Sequence, residues 1–141
     1  MKDSLAPGLE YVHRFTVPES KTVPHLYPES DIYRSMPRVF ATGFMVGLFE
    51  WACVELLRPH LDDGEGSLGV HVDVSHLAAT PPGFTVETLA RLTGIDGRRL
   101  TFHVSAHDGT DLIGEGRHER MVVRWERFAA KVSEKRSGTA G

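Results

Sequence analysis

The chain has 141 residues, 40% of them hydrophobic, which suits one domain built round one core. Its 19 acids against 16 Lys and Arg leave a formal net charge of -3, so no basic excess exists to neutralise phosphates, and nucleic acid is excluded as the main partner. One cysteine, Cys53, rules out an intrachain disulfide and suits a reducing cytoplasm; no stretch has the length of a membrane span, and the first ten residues have no apolar core of the secretory type.

Residues 11–17, YVHRFTV, put Tyr11, His13, Phe15 and Val17 on one face and predict a first strand, ended by Pro18. Pro18, Pro24, Pro28 and Pro37 interrupt the segment that follows, so residues 18–38 are expected as a loop with broken short helices. A connection of that length in a compact domain suits a lid over a binding site. Residues 39–58 predict a single long apolar helix, stopped by Pro59 and the DDGEG run. Cys53 lies within it and reads as a buried, inert thiol. In SLGVHVDVSHLAAT the alternation places Leu68, Val70, Val72, Val74 and His76 on the helix-facing side, with Gly69, His71, Asp73 and Ser75 opposite. The run FTVETLARLTGI then predicts a strand with Phe84, Val86, Ala90 and Leu92 inward. Asp96-Gly97 and Asp108-Gly109 bracket LTFHVSAH, which turns Leu100, Phe102, Val104 and Ala106 inward; Asp-Gly between alternating runs signals hairpins, so the last three strands form an antiparallel meander. The final strand covers about 113–125, and the basic tail 129–141 is expected to fray.

One strand, a long loop, one apolar helix and four strands make an α+β protein in which a curved antiparallel sheet wraps round a central helix, the hot-dog arrangement. Such sheets commonly pair edge to edge or pack against a twin subunit, so at least a homodimer is expected.

Glu50 stands in the middle of that helix, among Val46, Gly47, Cys53 and Val54, with no countercharge on its own stripe. Either this face meets water or a polar patch, or a poorly hydrated carboxylate is kept there as a base or nucleophile. Glu55 lies about 140° round the helix beside Arg58 and reads as the solvated face. His103 and His107, four apart in a strand and thus about 13 Å apart, cannot share an ion, and no metal is expected.

The runs TVPHLYPES, VFATGFMVGLFEWACVELL, GEGSLG, SHLAATPPG, GRRL, VSAHDG and HER resemble the fluoroacetyl-CoA thioesterase family of the hot-dog superfamily, over about residues 22–131. The resemblance implies hydrolysis of a small acyl-CoA such as fluoroacetyl-CoA, with Thr42, Glu50 and His76 as the catalytic set. It implies a backbone contact to the thioester at Gly69, an arginine near the acyl group at Arg120, and a lid carrying Val23, Leu26, Tyr33 and Met36. Tyr33 and Met36 stand where the fluoroacetyl-specialised pattern has phenylalanine, which bears on acyl selectivity. Coenzyme A enters as part of the substrate, and no cofactor is expected.

Thioester hydrolysis needs an attacking oxygen, a route for its proton and donors for the oxyanion. Glu50 suits a general base or a nucleophile, Thr42 supplies a hydroxyl, and His76 titrates near neutrality when unperturbed. Each has a plainer reading: Thr42 as a helix cap, His76 as a structural histidine, Arg120 as the partner of Glu87 or Asp73, Gly69 as relief for a bend. Eight residues of helix separate Thr42 and Glu50 by about 12 Å. Hence either the helix starts after Thr42, or a site is shared between two subunits. A non-catalytic acyl-CoA-binding protein and an enoyl-CoA hydratase are the competing functions; the hydratase pattern Asp-x-Asn-x-x-His requires asparagine, and the chain has neither Asn nor Gln.

Overall fold

A computed structural model describes residues 1–138. Strand β1 (Glu10–Thr16) leads through the lid, where 3-10 turns at Glu19–Lys21 and Val23–His25 precede helix α1 (Asp31–Arg34). Helix α2 (Thr42–Leu57) follows, then strands β2 (Glu65–His76), β3 (Thr85–Asp96), β4 (Arg99–His107) and β5 (Leu112–Arg124), and helix α3 (Trp125–Ser137). The sheet is antiparallel throughout in the order β1-β3-β4-β5-β2. The expected meander is therefore present, and the strand after the helix has gone to the far edge.

Helix α2 buries Met45, Leu48, Phe49, Ala52, Cys53, Leu56 and Leu57, a stripe at three- and four-residue spacing. These residues join one core with Val86, Ala90, Leu92, Leu100, Phe102, Val104, Ala106 and Ile113 from the sheet. The opposite flank of the same helix leaves Trp51 and Val54 exposed. At the β3–β4 turn Gly97 takes φ 60 while Arg98 stays at negative φ, the pattern of a II′ hairpin. At the β4–β5 turn, Asp108 Oδ1 accepts from the amides of Thr110 and Asp111, and its Oδ2 accepts from buried Thr80 Oγ1. The Thr80 carbonyl in turn accepts from the amide of Phe40, two residues before α2.

Two expectations are corrected. The first concerns β2. Its pairing with β5 shifts between Gly69 and His71, so Ser67 and Gly69 pair with Val122 and Arg120, whereas Val72 and Val74 pair with His118 and Gly116. Directly paired residues point to the same side of a sheet, so the helix-facing set is Ser67, Gly69, Val72, Val74 and His76 rather than an unbroken even series. A β-bulge adds one residue and reverses the parity, which puts Leu68 opposite Met121 on the outer side. The second concerns the tail, which does not fray from residue 129: α3 runs to Ser137. Glu126 in its first turn and Lys135 and Arg136 in its last complement the helix dipole, the Trp125 amide is held by the Gly64 carbonyl, and Gly138 closes it at φ 77. Residues 139–141 of that expected tail lie outside the described residues. No helix among the described residues is long and apolar enough to cross a membrane.

Candidate active site

Thr42 is the first residue of α2, after the extended residue Ala41, so it belongs to the helix and does not cap it. Its Oγ1 lies 2.7 Å from Nδ1 of His76, at the end of β2. His76 Nε2 is buried without a partner among the described residues. Desolvation lowers the pKa of this imidazole, outweighing the opposing influence of the Ala78 backbone, so at pH 7 the ring is neutral and has a lone pair to offer. The pair borders an open cleft of about 400 Å³ shared with Val23, Val39, Phe40 and Ala78. Val23 thus reaches this end of the site from the lid. Leu26 packs on Gly43, where an added Cβ would come within 3.1 Å of its Cδ1. Tyr33 and Met36 lie elsewhere: the Tyr33 ring packs on Tyr27 at 5.9 Å, and Met36 lines a separate recess with Pro24, His25 and Arg38.

Glu50 forms a second centre on α2. Its Oε1 accepts from Arg120 Nη1 at 3.1 Å, and its side chain is 41% exposed. The countercharge that its own helical stripe lacks is thus supplied from β5, so this face of the helix meets a polar patch, and Arg120 pairs with neither Glu87 nor Asp73. Arg120 itself is buried and densely held: Nε donates to Ser67 Oγ at 2.8 Å, Nη2 to the Ser67 carbonyl at 2.9 Å, and Nη1 also to His118 Nε2 at 3.1 Å. Gly69 closes this group. A Cβ there would lie 2.6 Å from Glu50 Oε1, 3.2 Å from His118 Cε1 and 3.5 Å from Arg120 Nη1, so the bare backbone is what lets the carboxylate sit against the strand. Glu55 pairs with Arg58, as expected, and accepts from Trp51 Nε1; its side chain is 19% exposed, so it is half-buried and not the solvated residue expected from the sequence.

Within one chain the structure joins Thr42 to His76 and Glu50 to Arg120 and Gly69, but it does not bring the two groups together. Two residues of the second group, Ser67 and His118, were not singled out from sequence. His118 precedes Arg120 by two in an alternating strand, which was a usable signal. Ser67 carried none, because the bulge hides its face. Cys53 is buried, and desolvation pushes its thiol up to about 12, so it is inert.

An antiparallel sheet rolled round one helix is the fold of the hot-dog thioester hydrolases, and this chain is of that class: a thioesterase superfamily member from Thermus thermophilus, 29% identical, superposes with a TM-score of 0.85, covering 96% of each chain. The relation is closer still to a narrower group. The family model for fluoroacetyl-CoA-specific thioesterase matches residues 17–126, and the fluoroacetyl-CoA thioesterase of Streptantibioticus cattleyicolor is 57% identical over 135 residues, 96% of this chain and 97% of that protein. A solved structure of the fluoroacetyl-CoA thioesterase FlK superposes with a TM-score of 0.92 at 56% identity, covering 94% of this chain and 98% of that one. The chain belongs to the fluoroacetyl-CoA-specific thioesterase family.

Proposed function

We propose that this enzyme hydrolyses a small acyl-CoA, with fluoroacetyl-CoA as the first candidate substrate, to the free acid and coenzyme A. The observation that carries the reading is the Thr42 Oγ1 to His76 Nδ1 hydrogen bond beside an open cleft, in a chain 57% identical to a fluoroacetyl-CoA thioesterase. Neutral His76 accepts the proton of the Thr42 hydroxyl and so orients that oxygen toward the thioester. Glu50 supplies the carboxylate. Arg120 holds Oε1, and no hydrogen bond reaches Oε2 among the described residues, so Oε2 is the oxygen available to the carbonyl carbon or to a water beside it. If Glu50 adds, breaking of the C–S bond leaves an acyl–Glu50 anhydride that water then hydrolyses to the free acid. If water adds, Glu50 takes its proton and the acid forms directly. In both cases the departing thiolate of coenzyme A takes up a proton that originates from water and leaves as the thiol. The buried guanidinium of Arg120 lies where it offsets negative charge gathering at the reacting centre. Nothing beyond the coenzyme A of the substrate is needed as cofactor.

The active form in this reading is a homodimer with composite sites. A helical rise of about 1.5 Å per residue keeps Thr42 about 12 Å from Glu50 in one chain, while both point to the same flank of α2, about 80° apart. Beside them lie the exposed Val54 and the edge strand β2, whose Val70 and Val72 are also exposed. A two-fold arrangement over this surface lets Thr42 and His76 work with the partner's Glu50. A free buried thiol and a coenzyme A substrate suit a cytoplasmic enzyme.

The test is hydrolysis of acetyl-CoA and fluoroacetyl-CoA by the parent and by Glu50→Gln, Thr42→Ala and His76→Ala. The expected result is a fall of about 100-fold or more in kcat for Glu50→Gln, with the other two also impaired. A folded Glu50→Gln protein as fast as its parent would end the reading.

A further inference from the structure

His118 is buried on β5, and both of its ring nitrogens are engaged. Nδ1 lies 2.8 Å from the His71 carbonyl, an oxygen that only accepts, so Nδ1 carries the hydrogen. Nε2 lies 3.1 Å from Arg120 Nη1, a group that only donates, so Nε2 is a lone pair. The two contacts demand the same neutral tautomer. With this bond in place, Arg120 has acceptors on all three of its nitrogens: Ser67 holds Nε and Nη2, while His118 and Glu50 share Nη1.

We propose that His118 is a positioning residue of the reaction: its Nε2 lone pair aims Arg120 Nη1 at Glu50, and a proton arriving on that nitrogen uncouples the pair. A protonated Nε2 would face the guanidinium with a hydrogen of its own, donor against donor and cation against cation. Arg120 Nη1 then withdraws, Glu50 loses its anchor against Gly69, and hydrolysis fails in acid.

Burial, more than the charges around it, favours the neutral ring by lowering its affinity for a proton. The hydrogen bond to the His71 backbone opposes this, Arg120 on β5 reinforces it, and the acids Glu50 on α2 and Glu119 on β5 oppose it more weakly. Cys53, the other titratable group of α2 coupled to Glu50 and Arg120, is a neutral thiol. Phe102, which pairs with His118 from β4, and Val72, which pairs with it from β2, carry no charge.

The inference rests on the reading that Glu50 works on the thioester, and its test has a part that does not. Histidine-labelled protein titrated by two-dimensional NMR reports the tautomer of each ring directly, whether or not the enzyme is active. A protonated Nδ1 with a bare Nε2 at His118 near pH 7 is expected; the opposite tautomer, or a charged ring at that pH, overturns the proposal. The second part is the pH profile of kcat/KM for the parent, His118→Gln and His118→Leu. Glutamine keeps an acceptor for Arg120 and a donor for the His71 carbonyl but does not titrate. It is expected to retain activity within about threefold at pH 8 and to lose one proton from the acid limb, whereas leucine, which leaves an Arg120 N–H bare, is expected to lose about 10- to 100-fold at pH 8, a gap that narrows as the parent itself fails in acid. An acid limb unchanged in His118→Gln, or full activity in a folded His118→Leu protein, refutes it. If the parent hydrolyses none of the acyl-CoAs, the proposed function fails while the NMR result still decides the role of the ring.

Discussion

Replacing Gly69 by alanine tests the second centre with one methyl group. The new Cβ falls 2.6 Å from Glu50 Oε1, so the carboxylate must retreat by about 0.8 Å to regain an ordinary contact of 3.4 Å. The atom in the way is the end of a flexible side chain that is 41% exposed, so the fold can absorb the change, and the melting temperature is expected to fall by no more than a few degrees. The Arg120 contact, at 3.1 Å, has no such slack. A displacement approaching 1 Å at a reacting group costs on the order of 100-fold, so kcat/KM is expected to drop by about that factor, equivalent to about 2.7 kcal/mol of transition-state stabilisation. Initial rates of coenzyme A release, read with a thiol-reactive dye, measure it cleanly, because the Cys53 thiol is buried and held up to about 12 and contributes no background. A Gly69→Ala enzyme that keeps its fold and works within threefold of the parent would show that the close approach of strand and carboxylate has no bearing on the reaction.

Gly116 has φ 157, and a Cβ there would stand 2.1 Å from the Asp73 carbonyl oxygen, a backbone atom that cannot step aside. Gly116→Ala is therefore expected to cost about 3 kcal/mol, on the order of 10 °C in thermal melting; a loss under 1 kcal/mol refutes the clash. His76 and His118 are neutral in the fold because burial lowers their pKa, whereas the unfolded chain takes up protons near 6.5. The unfolded state then binds more protons, so this share of stability is complete above about pH 6.5 and is lost as pH falls toward the folded values. Urea midpoints that rise between pH 7 and pH 5 would contradict that sign. Val70→Asp and Val72→Asp put charge on the exposed edge strand and are expected to convert a dimer into a monomer in sedimentation; a parent that already sediments as a monomer removes the composite site.

Much of the framework was legible because it rests on local rules. The period of two in β4 places Leu100, Phe102, Val104 and Ala106 inward, and all four are buried. The Asp-Gly pairs marked both turns of the meander, and prolines marked the lid as broken structure. Glu50 stood out as an acid in an apolar helix, but its partner Arg120 lies 70 residues away, and only the sheet order decides that they meet. The strand β2 was misread past one point. Its letters alternate smoothly through Ser67 to His76, yet the strand carries an extra residue, and nothing in SLGVHVDVSH marks where. Parity therefore separated Gly69 from His76, when both face the helix. The C-terminal helix was missed although Trp125, Phe128, Ala129 and Val132 recur at helical spacing; α3 leaves that stripe exposed, and the basic, glycine-ended tail read as a fraying end.

Thr80 ties two distant places with one residue. Its carbonyl steadies Phe40 on the approach to Thr42, and its hydroxyl grips Asp108 in the last hairpin turn. The segment leading to Thr42 is thus moored to a bend remote in sequence, whereas Glu50 is held through Arg120 by Ser67 and His118. Both moorings share one hairpin, the first at its Asp108 turn and the second at His118 and Arg120 farther along β5, so warming that frays the turn reaches Thr42 before it reaches Glu50.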